Sequence, residues 1–537
     1  MERNRACSIL LIIILMLFSF QPTLFQAETD RVKVTYGTKS VAMNNPHGPI
    51  VIDGDANFSA TALAEGWSGN GSDQDPYIIE NYDITIGPAY EASINITNTR
   101  VNYTIRGCNL IGPAATPSYG IYLVNSTYGR IVNNMITNFA HALNVSGGSR
   151  NLVVTGNNIS YNSYSIWWDN SDNLTITQND CSHNFFTGIY ISESDYGKIS
   201  GNNCSGNGLF GIRLTYFSRY LIVTDNICNE NADAGFRFQS AIENILENNT
   251  SNENELGIWA TASNDNSIQW NVFANNTVAN GLTDGVPSIW DYNYWSDYGG
   301  SDGNYDGIGD TSYIFSDIDP HPLMFPPFPV EWAQLITDQY VEFGSYFDYN
   351  IAINCPAPYV VCVNDSTNFW TGVPTLSSST TLAVGDYPLL VNVTNVYGYF
   401  TEAIFTVFVR DTTPPIITGP DDFSFRVGEE YQTIEWNAQD LSPLSYVVLR
   451  DGAEITSDSS TQTSVHFSMI LENYQAGIFN YTIVVMDAYG NAVSDTVIVT
   501  IMPRPFLEVM LPWLLVGSVG VVVVIVIVVL IRKRRST

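Results

Sequence analysis

A short phrase, one small residue followed by apolar, variable and apolar positions, recurs through the middle of this 537-residue chain. It reads Gly120-Ile-Tyr-Leu, Ala142-Leu-Asn-Val, Ser165-Ile-Trp-Trp, Gly188-Ile-Tyr-Ile, Gly211-Ile-Arg-Leu, Gly235-Phe-Arg-Phe and Gly257-Ile-Trp-Ala, in steps of 22, 23, 23, 23, 24 and 22 residues. A second phrase, apolar-x-x-Asn, keeps the same rhythm from Ile131 to Asn134, Val154 to Asn157, Ile176 to Asn179, Ile199 to Asn202, Ile222 to Asp225, Ile245 to Asn248 and Ile268 to Asn271. Two independent phrases on one period define a repeat architecture. Within each phrase apolar residues alternate, which means strand, because successive strand side chains point to opposite faces. A helical repeat would need apolar spacings of three and four and would be broken by the Asn, Gly and Ser content. About 23 residues hold three short strands and three turns, one coil of a right-handed parallel β-helix, with neighbouring coils roughly 4.8 Å apart.

Stacking puts the same position of every coil in one row. Ile121, Leu143, Ile166, Ile189, Ile212, Phe236 and Ile258 point inward as a continuous core, and the Asn row passes amide hydrogen bonds from coil to coil. Cys181, Cys204 and Cys228 fall nearly in register and read as a small-residue stripe of that core, since no histidine recurs with them. One outward row departs from the polar background: Tyr122, Asn144, Trp167, Tyr190, Arg213, Arg237 and Trp259. At about 4.8 Å per coil it forms a strip roughly 29 Å long. Aromatic faces suit stacking on sugar rings and guanidinium groups suit hydroxyls or acidic substituents. Tyr122, Trp167, Tyr190, Arg213, Arg237 and Trp259 are therefore the expected ligand-binding residues, for a glycan or a neighbouring surface protein.

The two ends carry membrane addresses. Arg3 and Arg5, an apolar run from Ile9 to Phe20 and Ala27 before Glu28 read as a secretory signal peptide over residues 1–27. Residues 510–531 contain no charge and are long enough to cross a bilayer, and Arg532, Lys533, Arg534 and Arg535 follow in a basic tail, residues 532–537. The expectation is a single-pass anchor in the cell membrane with the ectodomain outside and the C-terminus cytoplasmic. The net charge of -32 follows the same division, because the ectodomain holds 52 acidic and 15 basic residues. A surface so short of lysine and arginine excludes nucleic acid as a partner. Fifteen Asn-x-Ser/Thr sequons, from Asn57 to Asn480, would face the glycosylating side.

Two flanking segments carry a family resemblance. Upstream stand His47-Gly-Pro-Ile-Val-Ile-Asp-Gly-Asp and Gly66-Trp-Ser-Gly-Asn-Gly-Ser-Asp-Gln-Asp-Pro-Tyr-Ile-Ile-Glu80; downstream, Asn293-Tyr-Trp-Ser-Asp-Tyr-Gly-Gly-Ser-Asp-Gly-Asn-Tyr-Asp-Gly-Ile-Gly-Asp-Thr-Ser-Tyr313 leads to Asp319-Pro-His-Pro-Leu323. With the repeats between them, roughly residues 45 to 325, they resemble archaeal surface proteins with NosD-type β-helix repeats. The resemblance implies a right-handed parallel β-helix of a group that binds or cleaves carbohydrates, here residues 28–325 with the leading segment and an acidic trailing cap. The family lends its name to a periplasmic copper-enzyme maturation factor. Copper is not expected, because His47, His141, His183, His321 and His466 are scattered.

The trailing cap holds a calcium-loop pattern. Asp302, Asn304, Asp306, the Ile308 carbonyl and Asp310 stand at positions 1, 3, 5, 7 and 9, with Gly307 at the sixth, where a sharp turn is needed. Tyr313 occupies position 12 in place of a bidentate glutamate, and Asp317 or Asp319 is the expected substitute. The calcium so predicted is structural. A polysaccharide hydrolase or lyase is the main rival to a binding protein. It would need two outward carboxylates about 5 to 10 Å apart, for which Asp169, Glu193, Asp172 and Asp195 beside Arg213 are the candidates. A third reading makes the β-helix a cell-envelope component with no ligand.

After Pro326-Pro327-Phe328-Pro329 the rhythm changes to strands every 8 to 12 residues. Residues 326–410 resemble a cadherin-like or immunoglobulin-like module and residues 411–503 an immunoglobulin-like one, each the size of a β-sandwich. Both are read as spacers. Cys355 and Cys362, either side of Pro356 and Pro358, are expected to close a small loop as a disulfide outside the cell.

Overall fold

The computed structural model describes residues 45–535 except 90, 114–117, 285–286, 373 and 472–474. The signal peptide falls outside the described residues. The rest forms two compact units. The first runs up to Glu331 and includes Asn354–Val360 and Thr394–Phe400; the second takes Trp332–Ile353, Val361–Val393 and the chain from Thr401 onward.

The first unit is a parallel β-solenoid with three sides. One ten-stranded sheet runs from Ile50–Asp53 to Ala279–Thr283, and a second from Tyr77–Glu80 to Ile289–Asp291. The third side starts as Asn45–Pro46, Tyr82–Thr85, Asn109–Ile111 and Met135–Thr137. It thins to single parallel bridges through Asn158, Asp180, Asn203 and Ile227, then widens again as Thr250–Asn252, Val272–Ala274 and Tyr294–Trp295.

Each side contributes one buried row to the core. On the first sheet it is the predicted row, with Leu143 beside Ile121 and Ile166, and Ile212 beside Ile189 and Phe236. On the third side it includes Ile136, Ile159, Cys181, Cys204, Cys228, Ser251 and Phe273, so the cysteines are core residues. Burial pushes the Cys181 and Cys204 thiols well up. The small residue of the repeat has its reason here: a Cβ on Gly211 would stand 2.6 Å from the Gly235 carbonyl and 2.9 Å from Cys228 Sγ.

The second sheet corrects the sequence reading in two coils. Val223 and Leu246 are the inward residues, whereas Ile222 and Ile245 are 44% and 41% exposed. The corner after Phe210–Thr215 holds one extra residue: Ile189 and Ile199 are ten positions apart but Ile212 and Val223 eleven. Tyr216 and Phe217, with φ of 46° and 61°, absorb it. A one-residue slip exchanges inside for outside, and the following coil, counted from the shifted residue, inherits the error. The asparagine ladder accordingly passes through Asn226 and Asn249, not Asp225 and Asn248.

That ladder is continuous. At each rung the backbone N–H and the Nδ2 of one Asn donate to Oδ1 of the next, as from Asn179 to Asn202 (2.9 and 3.0 Å) and from Asn202 to Asn226 (3.0 and 2.9 Å). Nδ2 also donates to a carbonyl of the preceding coil, as Asn202 does to Ile176. A second ladder, unforeseen in the sequence, joins Asn162, Asn184, Asn207, Asn231 and Asn254.

The ends are closed differently. At the leading end an unpredicted helix, Asp55–Glu65, inserts Phe58 and Ala62 into the core, Phe58 lying on the rings of Tyr77 (5.2 Å) and Tyr103 (5.3 Å). At the trailing end Asp319, 0% exposed, accepts from Asn293 N and Nδ2 and from Trp295 Nε1. Its burial raises the carboxyl above the usual range despite these donors.

The second unit is also all-β. One group of strands centres on the long Gly385–Asn395 and Phe400–Arg410 pair. The other packs a three-stranded sheet, carrying Ile434 and Trp436, on a five-stranded sheet carrying Tyr481, Ile483 and Val497. The C-terminal helix Phe506–Arg534 contains a span, Val516–Arg534, long and apolar enough to cross a membrane, and ends in Arg532, Lys533 and Arg534.

Candidate functional site

The outward strip exists as one row. Tyr122, Asn144, Trp167, Tyr190, Arg213, Arg237 and Trp259 are consecutive register partners on the first sheet. Its surface differs from the expectation, because the rings turn their faces to one another. Trp167 stacks on Tyr190 at 4.0 Å, Tyr122 on Tyr119 at 4.6 Å, and Trp259 lies under the Arg237 guanidinium at 3.9 Å. Stacking at a 4.8 Å coil spacing costs little and gains both dispersion and quadrupole attraction. This row therefore turns ring edges, not open aromatic faces, outward, and Tyr190 and Arg237 are only 7% and 6% exposed.

A parallel row supports the strip. Tyr119, His141, Tyr164 and Phe186 stack in succession at 5.5, 5.1 and 5.0 Å, and Trp167 stands edge-on to His141 and Tyr164. Burial holds the His141 ring below its ordinary pKa. The sequence carried part of a signal for this row: Tyr119, His141 and Tyr164 each precede the small residue of the repeat, whereas Phe186 stands one position earlier.

The far end of the strip is polar. Arg213 lies over Tyr190 and Phe210 (5.4 and 5.2 Å) and donates from NH2 to Gln239 Oε1 at 2.9 Å. Arg237 donates to the carbonyls of Phe238 and Trp259 and to Thr261 Oγ1. It is only 6% exposed, and desolvation, reinforced by Arg213, pulls its pKa down to about 10. Tyr190, 7% exposed, accepts from Thr215 Oγ1. Burial raises the Asp233 carboxyl nearby, with the Glu255 charge adding to the effect.

Two of the four carboxylates proposed for hydrolysis, Asp195 and Asp172, are otherwise engaged. Asp195 pairs with Arg219, whose NH2 reaches Oδ2 at 2.6 Å, and Asp172 Oδ1 accepts from Asp195 N at 3.0 Å. Asp169 is the register partner of Ser192, and the exposed Glu193 follows at a left-handed turn position. Arg213 makes its contacts elsewhere, with Gln239, Tyr190 and Phe210.

The acidic loop is organised by its own backbone. Asp302 accepts from Asp306 N and Gly307 N, Asp306 from Ile308 N and Asn304 Nδ2, and Asp310 from Gly303 N and Ser301 Oγ. Gly307, at φ 84°, packs where a Cβ would strike Val396 and Tyr397, and the Tyr397 hydroxyl donates to its carbonyl. The expected twelfth-position substitutes are committed elsewhere: Asp317 accepts Trp290 Nε1 and Asp319 closes the asparagine ladder.

Three carboxylates do converge in the second unit. Asp411, Asp440 and Asp487 bring oxygens within 4.8 Å of one another. Asp487 is held by Tyr489 N, Asn491 N and Asn491 Nδ2, and Asp440 by Ser442. Burial, followed by the neighbouring charges, raises the Asp411 carboxyl. The sequence displayed Asp411 and Asp487 as landmarks of a module without revealing that they meet. Cys355 corrects a further expectation: it is a free thiol whose Sγ donates to the Ala357 carbonyl at 3.3 Å. With Cys355 free, the expected Cys355–Cys362 bridge is not formed.

The histidines stay apart, each with its own neighbour: His47 with Glu65, His183 with Ser182, His321 with Asp291 and His466 with Asn437, while His141 sits in the aromatic row. The stacked thiols of Cys181, Cys204 and Cys228 are fully buried, and burial disfavours in the first two the thiolate that a soft metal would need.

Residues 101–306 match the family described as "Periplasmic copper-binding protein (NosD)". A curated relative, the "Probable ABC transporter binding protein NosD" of Stutzerimonas stutzeri, is 29% identical over 170 residues. That match covers 31% of this chain and 32% of the relative, so the chain spans about a third of its length. Among solved structures, the periplasmic alginate epimerase AlgG aligns at 17% identity and a TM-score of 0.30, over 46% of this chain and 72% of that one. The Azotobacter vinelandii mannuronan C-5 epimerase AlgE6 A-module aligns at 15% identity and 0.36, over 44% and 70%.

Proposed function

We propose that the protein is a membrane-anchored surface receptor whose solenoid binds an extended saccharide along the strip from Tyr122 to Trp259. The observation that carries this is the register itself: six aromatic or guanidinium side chains occupy one outward row of a rigid sheet. A row with a repeat of about 4.8 Å presents equivalent groups to a polymer that repeats on a similar scale. Tyrosine hydroxyls and arginine donors supply the polar contacts, and the stacked rings hold them in fixed positions. The C-terminal helix anchors the chain with its basic end cytoplasmic, and the second unit serves as the spacer. A neighbouring surface protein is the alternative occupant of the same row.

Glycan-array retention of the full chain in detergent tests the reading. Trp167→Ala removes the partner of Tyr190, and Trp259→Ala removes the platform beneath Arg237. Each is expected to weaken retention of the best glycan at least tenfold with the fold intact by circular dichroism. Undiminished retention in both variants would move the site off the strip, and no retention by the parent would favour a protein ligand or a purely structural envelope role.

Calcium at Asp302, Asn304, Asp306, Ile308 and Asp310 is the second part of the proposal, as a structural ion of the trailing cap. The expected result is a rise in thermal midpoint at millimolar calcium that Asp302→Asn reduces by at least half. A midpoint indifferent to calcium would retire the site.

A further inference from the structure

The two arginines of the strip form an unusual pair. Arg213 and Arg237 are register partners in adjacent coils, so two like charges lie side by side on one face. Neither has a carboxylate within ion-pair distance among the described residues. Arg237 is nearly buried, yet all its hydrogen bonds go to neutral acceptors: two carbonyls and a threonine hydroxyl. Arg213 Nε is buried with no partner at all. Its NH2 is fixed by Gln239, which leaves the Nε edge of the fork pre-oriented and unsatisfied. The acidic groups that act on Arg237 are Asp233 and Asp284, and neither is within ion-pair distance of either guanidinium.

Burying a guanidinium without a counter-ion is costly, and placing a second beside it compounds the cost. A planar fork with an idle edge matches a carboxylate, which accepts two parallel N–H bonds. We infer that Arg213 and Arg237 bind a carboxylate of the ligand, and that the saccharide read by the strip is therefore a uronate-bearing one; this rests on the strip being the saccharide site. Gln239, which holds Arg213, flanks the pair and supplies a neutral partner for a hydroxyl beside such a carboxylate. The acidic ectodomain does not oppose this at contact range, because its other charges are screened beyond about 8 Å at physiological ionic strength.

The test is binding of three hexasaccharide probes by the full chain in detergent micelles: oligogalacturonate, its full methyl ester, and a sulfated galactan oligomer. Oligogalacturonate is expected to bind at least tenfold more tightly than its methyl ester. Arg213→Gln should abolish that advantage, and Arg213→Lys should recover little of it, because an ammonium lacks the fork. Thermal unfolding of each variant confirms that it is folded; should Arg213→Gln fail that check, Arg237→Lys is read instead, with the same loss of acid preference expected. Equal affinity for acid and ester overturns the carboxylate pair and leaves the strip reading standing. Tenfold preference for the sulfated oligomer over oligogalacturonate overturns the uronate assignment. If neither acid nor ester is retained while neutral glycans are, the inference alone fails. If no saccharide is retained, the strip reading fails first and the inference with it.

Discussion

Asn202→Ala is expected to destabilise the solenoid by about 3–5 kcal/mol, read as a lowered midpoint of chemical unfolding followed by tryptophan fluorescence. The magnitude follows from what the side chain satisfies. Its Oδ1 takes both the backbone N–H and Nδ2 of Asn179, and its own Nδ2 serves the Ile176 carbonyl and Asn226 Oδ1. Truncation leaves buried donors of Asn179 and the Ile176 carbonyl without partners, at roughly 1–3 kcal/mol for each such group, and no water can enter a core lined by Ile176 and Ile199. The neighbouring Asn203 is the control. It is half-buried, and its side chain makes a single 3.2 Å bond to Asp180, so Asn203→Ala should cost less than about 1 kcal/mol. Equal effects of the two substitutions would show that the ladder contributes little beyond side-chain burial.

Gly211→Val is expected to be at least as severe, because its obstacle is backbone. A Cβ would meet the Gly235 carbonyl at 2.6 Å and Cys228 Cβ and Sγ at 2.8 and 2.9 Å, and a branched side chain adds two further carbons to the same space. Overpacking of this kind typically costs 1–3 kcal/mol, occasionally more. Here the coils must separate locally to relieve it, which also stretches the ladder bonds on either side, so about 4 kcal/mol is expected. Cys228→Ala in the same background should restore only a small part, since the carbonyl remains. Substantial rescue would identify the thiol as the controlling contact. Calorimetry of parent and variants decides between the two.

The repeat made the solenoid legible because its evidence is redundant: small residue, alternating apolar pair and asparagine all keep one period. Where the redundancy lapsed, so did the reading. The extra residue at Tyr216 and Phe217 left two isoleucines, Ile222 and Ile245, that look like core and face solvent. Hydrophobic character alone chose the wrong neighbour, and only the asparagine ladder fixes the register. The capping helix Asp55–Glu65 was missed because its signal is weak: Gly54 provides no capping side chain, and only Phe58 and Ala62 are buried. The strip was legible as a row but not as a surface. Sequence spacing states which residues share a face, whereas ring orientation depends on the 4.8 Å stacking that arises once coils are assembled. The meeting of Asp411, Asp440 and Asp487 joins residues 76 positions apart through sheet pairing, which no local spacing discloses.

The asparagine ladder also has a direction. Every side-chain amide from Asn134 onward donates toward the trailing end, and the last, Asn293, donates to Asp319. A chain of aligned amides accumulates positive character at its donating end, much as a helix does at its first turn, and a buried carboxylate is the complement that such an end requires. Coils can thus be gained or lost in the middle, one rung at a time, without changing the chemistry of either terminus. Asp319 acts as a stop for the ladder: it ends the amide sequence with a group that accepts and passes nothing on.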